Sequence, residues 1–313
     1  MIGTLALTGA TGFIGRALVP RLIEADWKVK ALVRRPDPEL EAKGVELVSG
    51  SLKDEASLRS LVTGVDAVVH CAGAIKARSR EEFQEINAAG TAGLVASAAA
   101  ASRKPRFLHI SSLAAREPGL SDYAASKRQA EAELARHGAG LDWVILRPPA
   151  VYGPGDRATL TLFRQFSRGQ AFFPRPADKR VSLIFIDDLV GAVLHLLQQP
   201  RWQGELIELD DGRPRGYAWT DLAEIASSHL DKPVSTITLP QGLLWLPAAA
   251  NEVLAPLLGR APMLTRGKIR ELFHEDWVSH RRSPTPLNGW HGEVTFEQGF
   301  PRTLAWYKDR GWL

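Results

Sequence analysis

The chain has 313 residues, 45% hydrophobic and 24% charged, which excludes a disordered segment and supplies apolar side chains for one large or two modest cores. Its single cysteine, Cys71, excludes an internal disulfide, fits a reducing compartment, and with no Cys/His cluster elsewhere leaves no metal site expected. A formal charge of +4 suits an acidic cofactor or an anionic membrane surface, and without a localised basic run it does not argue for nucleic acid.

Thr4–Leu7 reads as a short apolar strand that begins almost at Met1, with no signal peptide expected ahead of it. Thr8-Gly9-Ala10-Thr11-Gly12-Phe13-Ile14-Gly15 follows, and then an apolar-periodic helix over Gly12–Ala25. A strand, a glycine-rich turn and a helix form a phosphate cradle. Glycine allows close backbone approach, and the helix start offers unpaired N–H groups and partial positive charge. The spacing Gly-x-x-Gly-x-x-Gly differs from the usual dinucleotide fingerprint Gly-x-Gly-x-x-Gly.

The second strand, Lys28–Val33, ends in Arg34-Arg35. Enzymes selecting NAD place an acid about 20 residues after the glycine loop to bond the ribose hydroxyls. A guanidinium there instead suits a 2′-phosphate, so NADP(H) is expected in preference to NAD(H), unless the two arginines merely form a solvated surface pair. Strands at Val45–Val48, Ala67–Cys71, Phe107–Ser111 and Trp143–Leu146 alternate with helices at Glu55–Leu61, Glu81–Ser102 and Tyr123–His137. Such alternation predicts a parallel sheet covered on both faces.

Tyr123-Ala124-Ala125-Ser126-Lys127 sets a phenol and an ammonium four residues apart on one helical face. A cation beside a phenol lowers its pKa toward neutrality, which a general acid requires. Leu108-His109-Ile110-Ser111-Ser112 brings hydroxyls to a strand's carboxyl end, where one can orient a substrate oxygen. His70, in an apolar run, reads as a satisfied core or sheet-edge histidine ahead of a base. After about residue 150 prolines cluster at 148, 149, 154, 174 and 176, and helices, loops and short strands mix.

These motifs, with Leu146-Arg147-Pro148-Pro149-Ala150-Val151-Tyr152-Gly153-Pro154-Gly155, resemble the short-chain dehydrogenase/reductase superfamily in its extended and atypical branches. The likeness to epimerases and dehydratases runs along nearly the whole chain, most specifically over residues 4–156. It implies a Rossmann-like doubly wound α/β fold, with a dinucleotide domain over 1–150 and a smaller mixed substrate lobe over 151–313 whose chain crosses back to the sheet. It implies Ser112, Tyr123 and Lys127 as catalytic residues, Lys127 also holding the nicotinamide ribose. Cofactor contacts are implied at Gly9, Thr11, Gly12, Phe13, Ile14 and Gly15, then at Ser51 and Leu52 near the adenine, although serine stands at 51 where the family has an acid. Cys71, Ala72 and Gly73 would face the ribose and phosphates, and Pro148 and Val151 the nicotinamide. Asn87 matches the Asn-x-x-Gly-Thr pattern, either as a polar tie or in catalysis. Asp188 reads as a cap or loop anchor.

Three functions compete. The first is an NADPH-dependent reductase of a ketone on a large hydrophobic substrate, with a keto-sphingolipid as the narrower expectation. The second is a nucleotide-sugar epimerase, for which Arg175 and Arg180 could hold a diphosphate. The third is a non-catalytic nucleotide-binding assembly protein, disfavoured because Ser112, Tyr123 and Lys127 are all present. Leu113-Ala114 follows the catalytic hydroxyl where dehydratases carry an acidic pair, which argues against dehydration. Leu239 to Leu258 is apolar but interrupted by Pro240, Pro247, Asn251, Glu252 and Pro256, so it does not read as membrane-spanning. Arg260, Arg266, Lys268 and Arg270 follow it. The segment is either a packed lobe core with a solvated basic flank or an interfacial segment touching anionic lipid. A cytoplasmic location, peripheral to the inner face of a membrane in the second case, is expected, with a homodimer left open.

Overall fold

The computed structural model describes residues 2–257, 259–262, 264–280, 287 and 289–313; Met1 and Leu258, which fall in segments read above, lie outside them. The first elements run β1 (Gly3–Thr8), α1 (Phe13–Glu24), β2 (Trp27–Val33), α2 (Pro38–Ala42), β3 (Glu46–Ser49), α3 (Glu55–Val62) and β4 (Ala67–His70). Then come α4 (Arg80–Phe83), a π-helical turn (Gln84–Ala89), α5 (Gly90–Ala100), β5 (Arg106–Ile110), a 3-10 turn (Leu113–Arg116), α6 (Asp122–His137) and β6 (Trp143–Arg147). The remainder holds β7 (Ala150–Tyr152), α7 (Leu160–Ser167), β8 (Gln170–Pro174), β9 (Arg180–Val181), β10 (Leu183–Phe185), α8 (Ile186–Gln198) and β11 (Glu205–Glu208). It closes with β12 (Tyr217–Ala218), α9 (Trp219–Leu230), β13 (Ser235–Leu239), α10 (Gln241–Leu257), α11 (Arg266–Leu272), β14 (Asp276–Trp277) and α12 (Phe296–Asp309).

Two compact units result: one spans the chain to Arg147 together with Val190–Ile207, the other holds Pro148–Leu189 and most of the chain after Glu208. The first unit carries a seven-stranded sheet in the order β11-β6-β5-β4-β1-β2-β3, with β1 through β6 paired in parallel. Leu5, Ala6 and Leu7 point alternately to opposite faces, and all three are fully buried, so both faces of the sheet are covered. One face packs Ala6, Val68, Phe107 and Ile145 against leucines and valines of α3, α5 and α6. On β5, Arg106 donates to the carbonyls of Leu197 and Gln199, tying the end of α8 to this unit. The Rossmann-like α/β fold expected from sequence is the one observed.

Strand order reverses at β1, whose neighbours are β2 and β4. Ligands of open α/β sheets bind at such a switch point, beyond the strands' carboxyl ends. Here the loops after β1 and β4 meet: a Cβ built on Gly9 would lie 2.7 Å from the Ala72 amide nitrogen.

The helix expected over Glu81–Ser102 is not one α-helix. Its backbone widens into the π turn, and Asn87, inside that turn, gives up its carbonyl to the Thr91 hydroxyl at 2.6 Å. Cys71 and Ser111, read as strand ends, lie one residue past β4 and β5. In the second unit Phe163, Phe166, Phe296, Phe300 and Tyr307 form an aromatic core, with Phe163 and Phe300 stacked at 5.0 Å between centroids.

Candidate active site

The glycine loop is wound tightly against the start of α1. Gly9 has φ +78°, open to glycine at little cost. A Cβ on Gly15 would lie 2.1 Å from the Gly9 carbonyl oxygen, so the first turn of α1 can press on the loop only without a side chain. Asp37, Asp54, Ser79 and Ser121 cap α2, α3, α4 and α6 with their own side chains, whereas α1 begins on Gly12 with no side-chain cap and no acid in its first turn. Its leading N–H groups and dipole are thus left for an anion. Thr11 and Gly12 are exposed, and Phe13 and Ile14 half-buried. Gly15→Ala is expected to abolish dinucleotide binding in a fluorescence titration; wild-type affinity in that variant would dismiss the cradle.

Arg34 and Arg35 leave the end of β2 exposed, and among the described residues neither makes a hydrogen bond or ion pair. Arg16 on α1 is already committed, to Asp37 at 2.9 Å and Glu39 at 2.7 Å. Ser51 is half-buried, its hydroxyl accepting from the Lys53 amide. Leu52 lies under the π turn, where a Cβ on Gly90 would touch it at 2.9 Å. Cys71 and Ala72 are half-buried and Gly73 exposed. Burial pushes the Cys71 thiol up to about 12, so it stays neutral.

Ser112 caps the 3-10 turn, its oxygen accepting from the Ala114 amide at 3.2 Å, which leaves its own O–H to donate elsewhere. Ser121 caps α6, and its hydroxyl accepts from the Ala124 amide at 3.0 Å, fixing the turn that carries Tyr123. Tyr123 is half-buried, its ring tilted against Phe83 at 6.1 Å. One turn on, Lys127 is buried and donates to the Ile110 carbonyl at the end of β5, at 2.8 Å. An ammonium has three donors, and this bond uses one. A Cβ on Gly73 would lie 3.9 Å from Lys127 Nζ, so the ammonium reaches the loop after β4 as well. Burial lowers Lys127 from its usual range to about 8, against the upward pull of Glu131.

A lysine whose folded pKa is depressed costs stability at every pH below about 8, and the cost disappears as pH rises toward the ordinary lysine value of 10.5 that the unfolded chain has. Lys127→Met should therefore gain stability over wild type at pH 7 in urea unfolding, with the gap closing by pH 10. A gap that is constant with pH would refute a strained cation.

Two polar networks hold the frame. The Thr91 hydroxyl donates to the Asn87 carbonyl, so His70 Nε2 donates to Thr91 at 2.9 Å, and His70 Nδ1 accepts from the Thr8 hydroxyl at 2.6 Å. Burial, then nearby Lys127, drives His70 down to about 3, so it is a neutral, satisfied sheet-edge residue. Asn87 Oδ1 accepts from the Ala74 amide at 2.7 Å, while its Nδ2 donates to the Ala74 carbonyl and to Ser126 Oγ, at 3.0 and 2.8 Å. That is the polar tie, joining the π turn, the loop after β4 and α6.

The second network escaped the sequence reading. Glu131, buried on the same α6 face, accepts from Ser111 Oγ at 2.6 Å and takes both Arg147 Nε and a terminal Arg147 nitrogen, at 2.8 and 2.6 Å. Spacing places Glu131 on the helical face of Tyr123 and Lys127, four residues after the lysine, but does not reveal its arginine partner. Pro148 and Val151 belong to the second unit, Pro148 buried and Val151 half-buried in β7. There Asp188 accepts from the Glu293 and Val294 amides at 3.1 and 2.9 Å, a loop anchor. Arg180 is spent on the carbonyls of Arg215 and Gly216, at 2.7 and 3.0 Å, and on Asp221.

Comparisons with known proteins identify the family and the fold. The family model described as NAD dependent epimerase/dehydratase matches residues 5–209. A ceramide reductase of Caulobacter vibrioides is 37% identical over 99% of this chain and 96% of its own length. A UDP-glucose 4-epimerase of Vibrio cholerae is 26% identical over 96% and 94%. The crystal structure of a UDP-glucuronic acid 4-epimerase from Bacillus cereus, in complex with UDP-glucuronic acid and NAD, shares the fold with a TM-score of 0.69 at 18% identity, covering 98% of this chain and 99% of that one. The chain belongs to the NAD dependent epimerase/dehydratase family and is an NAD(P)-dependent oxidoreductase of the short-chain dehydrogenase/reductase type.

Proposed function

We propose that the chain is an NADPH-dependent reductase of a ketone on a large, lipid-like substrate, with the 3-keto group of an oxidised ceramide as the specific candidate. One observation carries the cofactor choice: the end of β2 presents Arg34 and Arg35 with no partner, where an NAD-selecting site would present a carboxylate. The full-length similarity to a ceramide reductase supports the substrate class. The sugar-nucleotide epimerase reading loses support because Arg180 already serves three intramolecular acceptors.

The cradle at Gly9–Gly15 fits the pyrophosphate, and the two unspent Lys127 donors fit the nicotinamide ribose. NADPH, when bound, supplies the hydride to the carbonyl carbon. Tyr123 delivers its hydroxyl proton to the substrate oxygen, and the free O–H of Ser112 donates to that oxygen as charge develops on it. Lys127 favours the phenolate left behind. Thr11, Phe13, Ile14, Ser51, Leu52, Cys71, Ala72 and Gly73 complete the proposed cofactor contacts of the first unit.

The test is NADPH oxidation by the purified protein with keto-sphingolipids, steroid ketones and nucleotide sugars. Stoichiometric oxidation with a keto-lipid is expected; isomerisation of a nucleotide sugar with no net cofactor change would overturn the reading. Arg34→Ala with Arg35→Ala should weaken NADPH about 10–100-fold, the worth of one to two charge-assisted hydrogen bonds, and leave NADH nearly unchanged. Equal losses for both cofactors would remove the selectivity argument.

A further inference from the structure

We infer that the outer face of α10 is a membrane-docking surface whose partner is the headgroup–acyl boundary of an anionic phospholipid bilayer. At about 100° per residue, Leu243, Leu246, Pro247, Ala250, Val253 and Leu254 fall within an arc of about 120°. All six are exposed, Leu243 by 60%, Leu246 by 77%, Val253 by 64% and Leu254 by 58%. The opposite arc is a packed core, with Leu244, Trp245 and Ala248 against Ile269 and Phe273. The helix is therefore apolar on two faces, and only one is covered within the chain. A helix apolar all round belongs in a core or in lipid, and a contiguous exposed apolar patch marks an interaction site.

The helix's polar residues do not interrupt that stripe. Asn251 donates to the Leu264 carbonyl at 2.8 Å, and Glu252 accepts from the backbone and side chain of Arg266 at 2.7 and 2.6 Å. Both are drawn toward the covered side. The segment beyond α10 brings four exposed cations close after the helix, Arg260, Arg266, Lys268 and Arg270, with Arg266 also paired to Glu252 at 2.6 Å and Lys268 to the buried Glu271 at 2.9 Å. Arg260 stands just past the helix, its amide bonded to the Ala255 carbonyl at 2.9 Å.

A bilayer suits this surface better than a second protein chain. Protein interfaces carry about one hydrogen bond per 100–200 Å², whereas this stripe offers no side-chain donor or acceptor. An apolar ridge accompanied by cations is what an interfacial helix uses on anionic lipid. The inference stands on the surface itself and does not depend on the ketone-reductase reading.

The full-length protein, at about micromolar concentration, would be sedimented with vesicles of phosphatidylcholine alone and with added phosphatidylglycerol, at about 0.1 and 0.5 M salt. Binding to the anionic vesicles, weakened by salt and by removal of phosphatidylglycerol, is expected. Leu246→Glu with Val253→Glu should lower partitioning at least about tenfold, with the circular dichroism melt and NADPH binding unchanged. Leu246→Ser alone, at the most exposed position, gives a smaller loss and serves if the double variant misfolds. Wild-type protein left in the supernatant overturns the inference, as does a double variant that binds like wild type. A stripe that instead closes a dimer, seen as a monomer–dimer shift abolished by the same substitutions without vesicle binding, also overturns it.

Discussion

Tyr123→Phe is expected to lower kcat by about 10³-fold or more, within the range of general acid catalysis, while NADPH affinity changes little. The substitution removes one hydroxyl and keeps the ring that packs on Phe83. The stem of α6 is set by the Ser121 cap and by Lys127 bonded to Ile110, neither of which needs the phenol oxygen. Single-turnover hydride transfer and a separate dinucleotide titration distinguish lost chemistry from lost binding. Unchanged turnover would dismiss Tyr123 as the acid, and with it the roles proposed for Ser112 and Lys127.

Replacing Glu131 by alanine should destabilise the protein by about 3–5 kcal/mol, the loss seen when one partner of a buried ion pair is removed. Both side chains are nearly inaccessible, Arg147 at 6% and Glu131 at 4%, so the guanidinium loses a buried carboxylate where solvent reaches it poorly. Ser111 loses its acceptor at the same time. Glu131→Leu with Arg147→Met should recover most of the loss, because the charge no longer needs a partner. Glu131→Gln, closest in shape, reads out a second effect. Glu131 raises the Lys127 pKa, so its neutralisation should move the alkaline limb of the kcat/KM profile to lower pH. A fully stable Glu131→Ala protein, or an unmoved limb in Glu131→Gln, would assign the carboxylate no such part.

Local signals found most of the frame. Apolar runs bounded by turn residues gave β1, β2, β4, β5 and β6 within a residue or two, because parallel strands buried on both faces are apolar at successive positions. The glycine loop was legible because its three glycines answer backbone crowding within eight residues. Periodicity failed at the π turn: Gln84–Ala89 carries the same helical pattern as its flanks, and only the pull of Thr91 and the Asn87 contacts marks the widened turn. It also missed Glu131, since a glutamate inside a charged helix gives no hint that an arginine 16 residues away will meet it.

From its sequence alone this protein declares a nucleotide-binding α/β sheet, a tyrosine and lysine sharing one helical face, and an arginine pair where an acid would select NAD. Each depends on neighbours a few residues apart, so chain order suffices to reveal it. Tertiary structure decided that Gly9 abuts Ala72, that Lys127 is anchored by Ile110, that Arg180 is already engaged, and that α10 hides one apolar face while showing the other. Those outcomes turn on which surfaces lose water when distant segments pack, and spacing along the chain does not encode that directly.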